Sequence, residues 1–130
     1  MSILVPQPAP RPSSTKRLGD AAEDDALQYL QEHGLRLVAR NYRTPGRGGG
    51  EIDLIVRDRD GTLVFVEVRK RASDTHGGAG ASVSVTKQRR IVFAARHYLL
   101  RLGATPPCRF DVVLLGPSGV QWLQAAFDAS

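Results

Sequence analysis

The chain has 130 residues, 24% of them charged, and a formal net charge of +5 at pH 7. That length suits one domain with one hydrophobic core. No apolar run approaches the roughly 18 residues that span a bilayer, and the N-terminus lacks a basic stretch followed by an apolar one, so a soluble, cytoplasmic protein is expected. The single cysteine, Cys108, excludes an intramolecular disulfide and a cysteine-rich zinc site, and reads as a packed or half-exposed thiol.

Charge is spread unevenly. From Arg69 to Arg109 nine cationic residues (Arg69, Lys70, Arg71, Lys87, Arg89, Arg90, Arg96, Arg101, Arg109) stand against one acid, Asp74, which leaves the rest of the chain net negative. A concentrated basic segment attracts polyanions, nucleic acid above all; solubilising charge is the bland alternative.

Residues 1–16 carry Pro6, Pro8, Pro10 and Pro12 at alternate positions, which removes backbone donors and predicts a disordered, extended tail ahead of a domain over 17–128. From about Arg17 to His33 the periodicity is helical. Leu18, Ala22, Ala26, Leu27, Tyr29 and Leu30 fall on one side, Asp20, Asp24, Gln28 and Gln31 on the other. Glu23 sits at the edge of the apolar arc, and Gly34 supplies the stop. Strands are predicted at Arg36–Tyr42, Glu51–Arg57 and Thr62–Arg71, the first two separated by the loop "TPGRGGG". "ASDTHGGAGASVS" then reads as a mobile loop. A second helix is predicted over Thr86–Leu102, with Ile91, Ala95, Tyr98 and Leu102 inward, Lys87 on the same side, and Arg89, Arg96 and Arg101 pointing away. Short strands at Arg109–Leu115 and Val120–Leu123 complete an α-β-β-β-α-β-β order.

Two of these strands carry carboxylates inside apolar runs, "GEIDLIV" and "VFVEVRK". Burying such charge is costly unless something compensates for it. Alternation puts Glu51 and Asp53 on one face of their strand, with Ile52, Leu54 and Val56 on the other, and puts Glu67 and Arg69 on the face of Phe65. Whether the two sets meet depends on the hairpin. A two-residue Asp60-Gly61 turn pairs Leu54 with Glu67; a three-residue Arg59-Asp60-Gly61 loop, with Gly61 left-handed in a G1 bulge, sets Asp53 opposite Glu67. The three-residue loop is the expectation here.

Carboxylates at that separation repel each other, and a divalent cation removes the repulsion. Mg²⁺, a hard ion often held by one or two carboxylates that keeps waters and phosphate oxygens, suits the pair and can polarise a phosphodiester. Arg69, two residues on, can steady phosphate or developing negative charge. The competing reading has Glu67 paired with a nearby arginine and Asp53 capping a loop.

An acid on the first helix, Glu23, then Asp53, then Glu67-Val68-Arg69, in an α-β-β-β-α-β order, resembles the PD-(D/E)XK nuclease superfamily, and archaeal Holliday-junction resolvases in particular. More closely, "GDAAEDDALQYLQEHGLRLVARNYR", "GEIDLI", "VFVEVRKR", "VTKQRRI", "RFDVV" and "WLQAAF" resemble the bacterial YraN-like family, over Lys16 to Phe127. The resemblance implies a restriction-endonuclease-like α/β fold, a mixed sheet flanked by helices. It implies an Mg²⁺- or Mn²⁺-dependent endonuclease acting on DNA, branched or flapped by the resolvase likeness, and a homodimer. Asp53 and Glu67 would be the metal ligands, with the Val68 carbonyl as a further oxygen. Glu23 would complete the acidic cluster, Glu51 would stand behind it, and Lys87 would contact phosphate. Arg69, Arg71, Lys87, Arg89, Arg90 and Arg96 would follow the nucleic acid. Two departures stand out: Ile52 replaces a proline that shapes only backbone, and Arg69 replaces a lysine. Arginine stays protonated and cannot act as a base, though it can hold phosphate.

Two rival classes remain. One is a nucleic-acid-binding module that keeps the fold without the chemistry; the other is an adaptor recruiting a protein through the Pro-rich tail. Other features carry less. Gly77–Gly80 lacks the Lys-Ser/Thr element of a P-loop. His33, His76 and His97 have no ligand spacing, with His76 the one to test for catalysis, and Trp122 reads as core.

Overall fold

A computed structural model describes residues 14–72 and 83–129. The expected tail up to residue 13, the Leu18 side chain, His76 and Gly77–Gly80 lie outside the described residues. The elements are α1 (Ser14–Glu32), β1 (Arg36–Arg43), β2 (Glu51–Arg57), β3 (Leu63–Lys70), α2 (Val85–Leu102), β4 (Cys108–Gly116) and β5 (Gly119–Phe127). They form one mixed sheet in the order β1-β2-β3-β4-β5, with β3 and β4 parallel and every other neighbour pair antiparallel. The parallel pair needs a long crossover, which α2 supplies. This is the expected mixed α-β-β-β-α-β core, followed by β5.

Helices cover both faces of the sheet, which explains why the central strands are apolar almost throughout. Leu54 and Val56 of β2, Val64 and Val66 of β3 and Val113 of β4 pack against Ala26 and Leu30 of α1 and against Leu35. Ile55, Leu63, Phe65, Val112 and Leu114 pack against Ile91, Ala94 and Ala95 of α2. Each such side chain taken fully out of water stabilises the fold by roughly 1.5–3 kcal/mol, so losing either layer would exceed the margin of a small domain. Ile52 departs from strict alternation. It packs with the α2 layer, at the head of β2 beyond the last β2–β3 pair, Leu54 with Val66.

Helix ends follow from local chemistry. Gly34, at φ +92°, closes α1 in a Schellman arrangement, with Leu35 N–H on Leu30 O at 3.0 Å and Gly34 N–H on Gln31 O at 3.0 Å. Ser84 caps α2 by accepting Lys87 N–H at 3.1 Å, and Gly103, at φ +71°, ends it. α1 starts three residues before the expected boundary because its polar first turn gives no apolar period to read. Leu102, expected inward, is 40% exposed at the frayed end of α2. β5 runs four residues past its predicted end, through an irregularity at which Ala125 has φ +50°. No described helix is long and apolar enough to cross a membrane.

Candidate functional site

The β2–β3 hairpin decides whether the carboxylates meet. Asp58 N–H bonds Thr62 O at 2.9 Å, Gly61 N–H bonds Asp58 O at 3.0 Å, and Gly61 has φ +90°. This is the three-residue loop with a left-handed glycine, and Asp60 Oδ1 supports it by accepting Thr62 N–H at 2.9 Å. The strands pair Arg57 with Leu63, Val56 with Val64, Ile55 with Phe65 and Leu54 with Val66. The ladder ends at Leu54 with Val66, and just beyond it the Asp53 and Glu67 side chains approach each other, as the three-residue loop predicts.

Val68 N–H donates to Asp53 Oδ2 at 2.9 Å and so fixes the carboxylate at the head of β2. Burial, and then the hydrogen bond and charge shared with Glu67, push the Asp53 carboxyl up from the ordinary range to about 7, while Val68 N–H and the Lys87 charge act in the opposite direction. The Asp53 carboxyl thus keeps part of its proton near neutrality. The Glu67 side chain is buried, and among the described residues its Oε2 receives no hydrogen bond. Lys87 Nζ stands 3.5 Å from that oxygen, at ion-pair distance without hydrogen-bond geometry.

Glu23 is buried to 9% exposure and comes within electrostatic reach of the pair: burial first, then the Asp53 charge, raises its pKa. Arg40 holds it, with Nη2 3.4 Å from Glu23 Oε1 and Nη1 2.6 Å from Asp24 Oδ1. The Asn41 side chain, on a residue left-handed at φ +50°, acts with Arg40 to lower the Glu23 pKa against burial and the Asp53 charge. Among the described residues, no three His, Cys, Asp or Glu side chains come together at metal-ligand spacing. The pair of hard oxygen donors is Asp53 and Glu67; Glu23 stands behind them.

The cations divide. Val68, Arg69, Lys70 and Lys87 line a cavity of about 390 Å³ together with Glu67. Arg90 joins Lys87, Arg43 and Glu51 around a second cavity, where Glu51 Oε1 is 3.4 Å from Arg43 Nη2. Arg71 lines a depression against α1. Arg89 and Arg96 border another one beside Val85 and Phe93, and Arg96 Nη2 reaches Ala129 O at 3.3 Å. Lys87 is common to the first two cavities and Lys70 to the first and third, while Arg89 and Arg96 line a separate depression.

Sequence reasoning passed over Arg40, Asn41 and the tie between Thr44 and Gly50, whose one signal is an unusually glycine-rich stretch. It also assigned no role to Asp111, fully buried on β4. Asp111 Oδ1 accepts Ala125 N–H at 2.9 Å, and Oδ2 accepts Trp122 Nε1 at 2.9 Å. Arg109 Nε lies 3.1 Å from both oxygens, and Arg109 Nη1 reaches Asp58 Oδ2 at 3.0 Å. Trp122 packs edge-on to Tyr29 and serves the fold, as expected. His97 bonds Tyr42 at 2.6 Å, the His33 ring contacts Tyr29 O at 2.7 Å, and Cys108 is an exposed free thiol.

A family model described as uncharacterised protein family UPF0102 matches residues 22–115. The chain belongs to the UPF0102 family. This confirms the YraN-like membership read from the motifs. A UPF0102 protein of Paracidovorax citrulli (strain AAC00-1) is 72% identical over 124 residues, 95% of this chain and 92% of its own length. Another, from Albidiferax ferrireducens, is 67% identical over 127 residues, covering 98% of this chain and 99% of the relative. A solved structure described as the crystal structure of SSO0001 is similar at a TM-score of 0.46 and 16% identity, over 87% of this chain and 52% of that one, too little to bear on UPF0102 function.

Proposed function

We propose that this UPF0102 protein is a metal-dependent endonuclease that hydrolyses DNA phosphodiester bonds at the Asp53–Glu67 pair. The observation that carries the reading is the close approach of these two side chains, with a buried Glu67 oxygen left without a hydrogen bond among the described residues. With Lys87 at 3.5 Å giving it charge but no hydrogen bond, this buried oxygen beside a second carboxylate stays costly unless a closer cation completes it. Two carboxylates without a third suit Mg²⁺ or Mn²⁺, which keep several waters, and do not suit a structural zinc site with four protein ligands. Asp53 and Glu67 would hold the ion, with Val68 beside them, and the bound ion would polarise the phosphodiester.

The chain's own residues do the rest. Val68 N–H orients Asp53. Arg40 restrains Glu23 behind the pair. Lys87 brings positive charge to Glu67, which matters because Arg69 stands where the PD-(D/E)XK pattern has lysine. The α-β-β-β-α-β order and the Asp53…Glu67-Val68-Arg69 spacing support a place in that superfamily. Homodimerisation and a preference for branched or flapped DNA follow by the same analogy.

Incubation of labelled duplex, flap and four-way-junction DNA with Mg²⁺, Mn²⁺ or EDTA tests the reading. Metal-dependent cutting that disappears in Glu67→Ala is expected. DNA binding without cutting under any metal, unchanged in Asp53→Ala, would instead favour a binding module of the same fold.

A further inference from the structure

The segment between β1 and β2 folds back on itself and clamps onto α2. Thr44 N–H bonds Gly50 O at 3.1 Å, Gly50 N–H bonds Thr44 Oγ1 at 2.7 Å, and Thr44 is buried. A Cβ on Gly50 would overlap the Arg90 carbonyl oxygen, so glycine alone lets this segment close against the helix. Between segment and helix lies a cavity of about 350 Å³. Its lining includes main chain at Gly48, Gly49 and Gly50, of which the Gly50 N–H is already given to Thr44 Oγ1, and the side chains of Arg43, Lys87 and Arg90. Glu51 is its one carboxylate and is already paired with Arg43 at 3.4 Å, so the lining is left with net positive charge.

We propose that this cavity binds a phosphate group of the nucleic-acid backbone, one position along the strand from the bond cleaved at Asp53 and Glu67. The inference rests on the nuclease reading for the identity of the strand, and on the cavity itself for the phosphate. Gly48, at φ +71°, belongs to the glycine turns whose main-chain N–H groups commonly form anion-binding concavities, and arginine offers planar, paired donors to phosphate oxygens. The volume sits at the lower end of ligand cavities, which span about 300–1,000 Å³, and is enough for a phosphate with its sugar. Lys87 lines both this cavity and the one containing Glu67, so a strand can pass from one to the other over a single side chain.

The test is a titration of the ¹⁵N-labelled full chain, following the amide signals of Gly48, Gly49 and Gly50. Inorganic phosphate and thymidine 5′-monophosphate should shift them saturably and thymidine should not. Arg90→Gln should weaken both anions about tenfold, while Arg101→Gln, at the far end of α2, should not. A thymidine hexanucleotide should bind the same glycines at least about tenfold more tightly than the mononucleotide, because its next phosphate reaches the neighbouring cavity. Glycine signals that ignore phosphate, or that respond equally in Arg90→Gln, would overturn the site; equal affinity for hexanucleotide and mononucleotide would overturn its assignment to a strand. The nuclease reading fails separately, through absence of metal-dependent cutting with the glycine shifts intact.

Discussion

Lys87 of α2 places its ammonium 3.5 Å from Oε2 of Glu67, so a helix delivers positive charge to a carboxylate pair built by two strands. Arg69, on β3 itself, borders the same cavity but carries a proton it cannot give up. Lys87→Ala is therefore expected to lower kcat/KM for DNA cleavage on the order of 100-fold, the scale for removing a preorganised cation from a reacting phosphate. Lys87→Arg should restore part of the loss by keeping the charge. Equal activity of Lys87→Ala and wild type would remove the helix from the chemistry.

Salt dependence separates the two groups of arginines. Arg90 shares a cavity with Lys87, whereas Arg89 and Arg96 border a depression with Phe93 and Asp128. For each phosphate that the protein no longer neutralises, the slope of log affinity against log salt should fall by about 0.9 for duplex DNA. Arg90→Ala should produce that change; Arg89→Ala and Arg96→Ala should leave the slope nearly unaltered. Fluorescence anisotropy across roughly 50 to 200 mM salt is a suitable range for the comparison.

Stability should depend on pH through Asp53. Its folded carboxyl titrates near 7, above the ordinary 3.8, so between those values the native state binds more protons than the unfolded chain. The contribution is fully present below the ordinary value and is lost as pH rises through about 7. Without divalent metal, chemical denaturation should show a loss on the order of 3 kcal/mol between pH 4 and pH 8 from this group, discounted where solvent reaches it. Asp53→Asn should flatten the profile, and Mg²⁺ should recover stability at pH 8. A wild-type profile that rises over this interval and is unchanged in Asp53→Asn would contradict the raised Asp53 carboxyl.

Asp111 is the opposite case, a buried carboxylate with its donors already in place. Removing it leaves Arg109 with Asp58 as its remaining carboxylate partner and leaves Trp122 Nε1 and Ala125 N–H without their acceptor. Asp111→Ala should cost about 3–5 kcal/mol in a denaturant titration, the range for breaking a buried ion pair from one side. Cleavage per folded molecule should be unaffected.

Asp111 also shows how far the sequence could be read. A carboxylate inside an apolar strand was the signal that singled out Asp53 and Glu67, and "RFDVV" carries the same signal for a residue that only stitches β4 to β5. The pattern marks buried charge without saying what compensates it. Hairpin chemistry did better: Arg59-Asp60-Gly61 admits a left-handed glycine, and from that one feature follows the register that pairs Leu54 with Val66 and leaves Asp53 and Glu67 next in line. The element order was legible because apolar periods of two and near four persist through both layers. Arg40 on Glu23 and Gly50 against α2 were not, since each pairing joins segments far apart in the chain and leaves no periodic trace. Ile52 misled for a related reason, because it lies beyond the last β2–β3 pair, where β2 is paired with β1 alone.

The central claim is that Asp53 and Glu67 together hold a divalent cation, and calorimetric titration of Mn²⁺ into the metal-free full chain tests it most directly. Saturable binding of one ion per chain, abolished in both Asp53→Asn and Glu67→Gln and retained in Glu51→Gln, is the predicted result. Absence of binding, or binding that survives both substitutions with the fold intact, would contradict it.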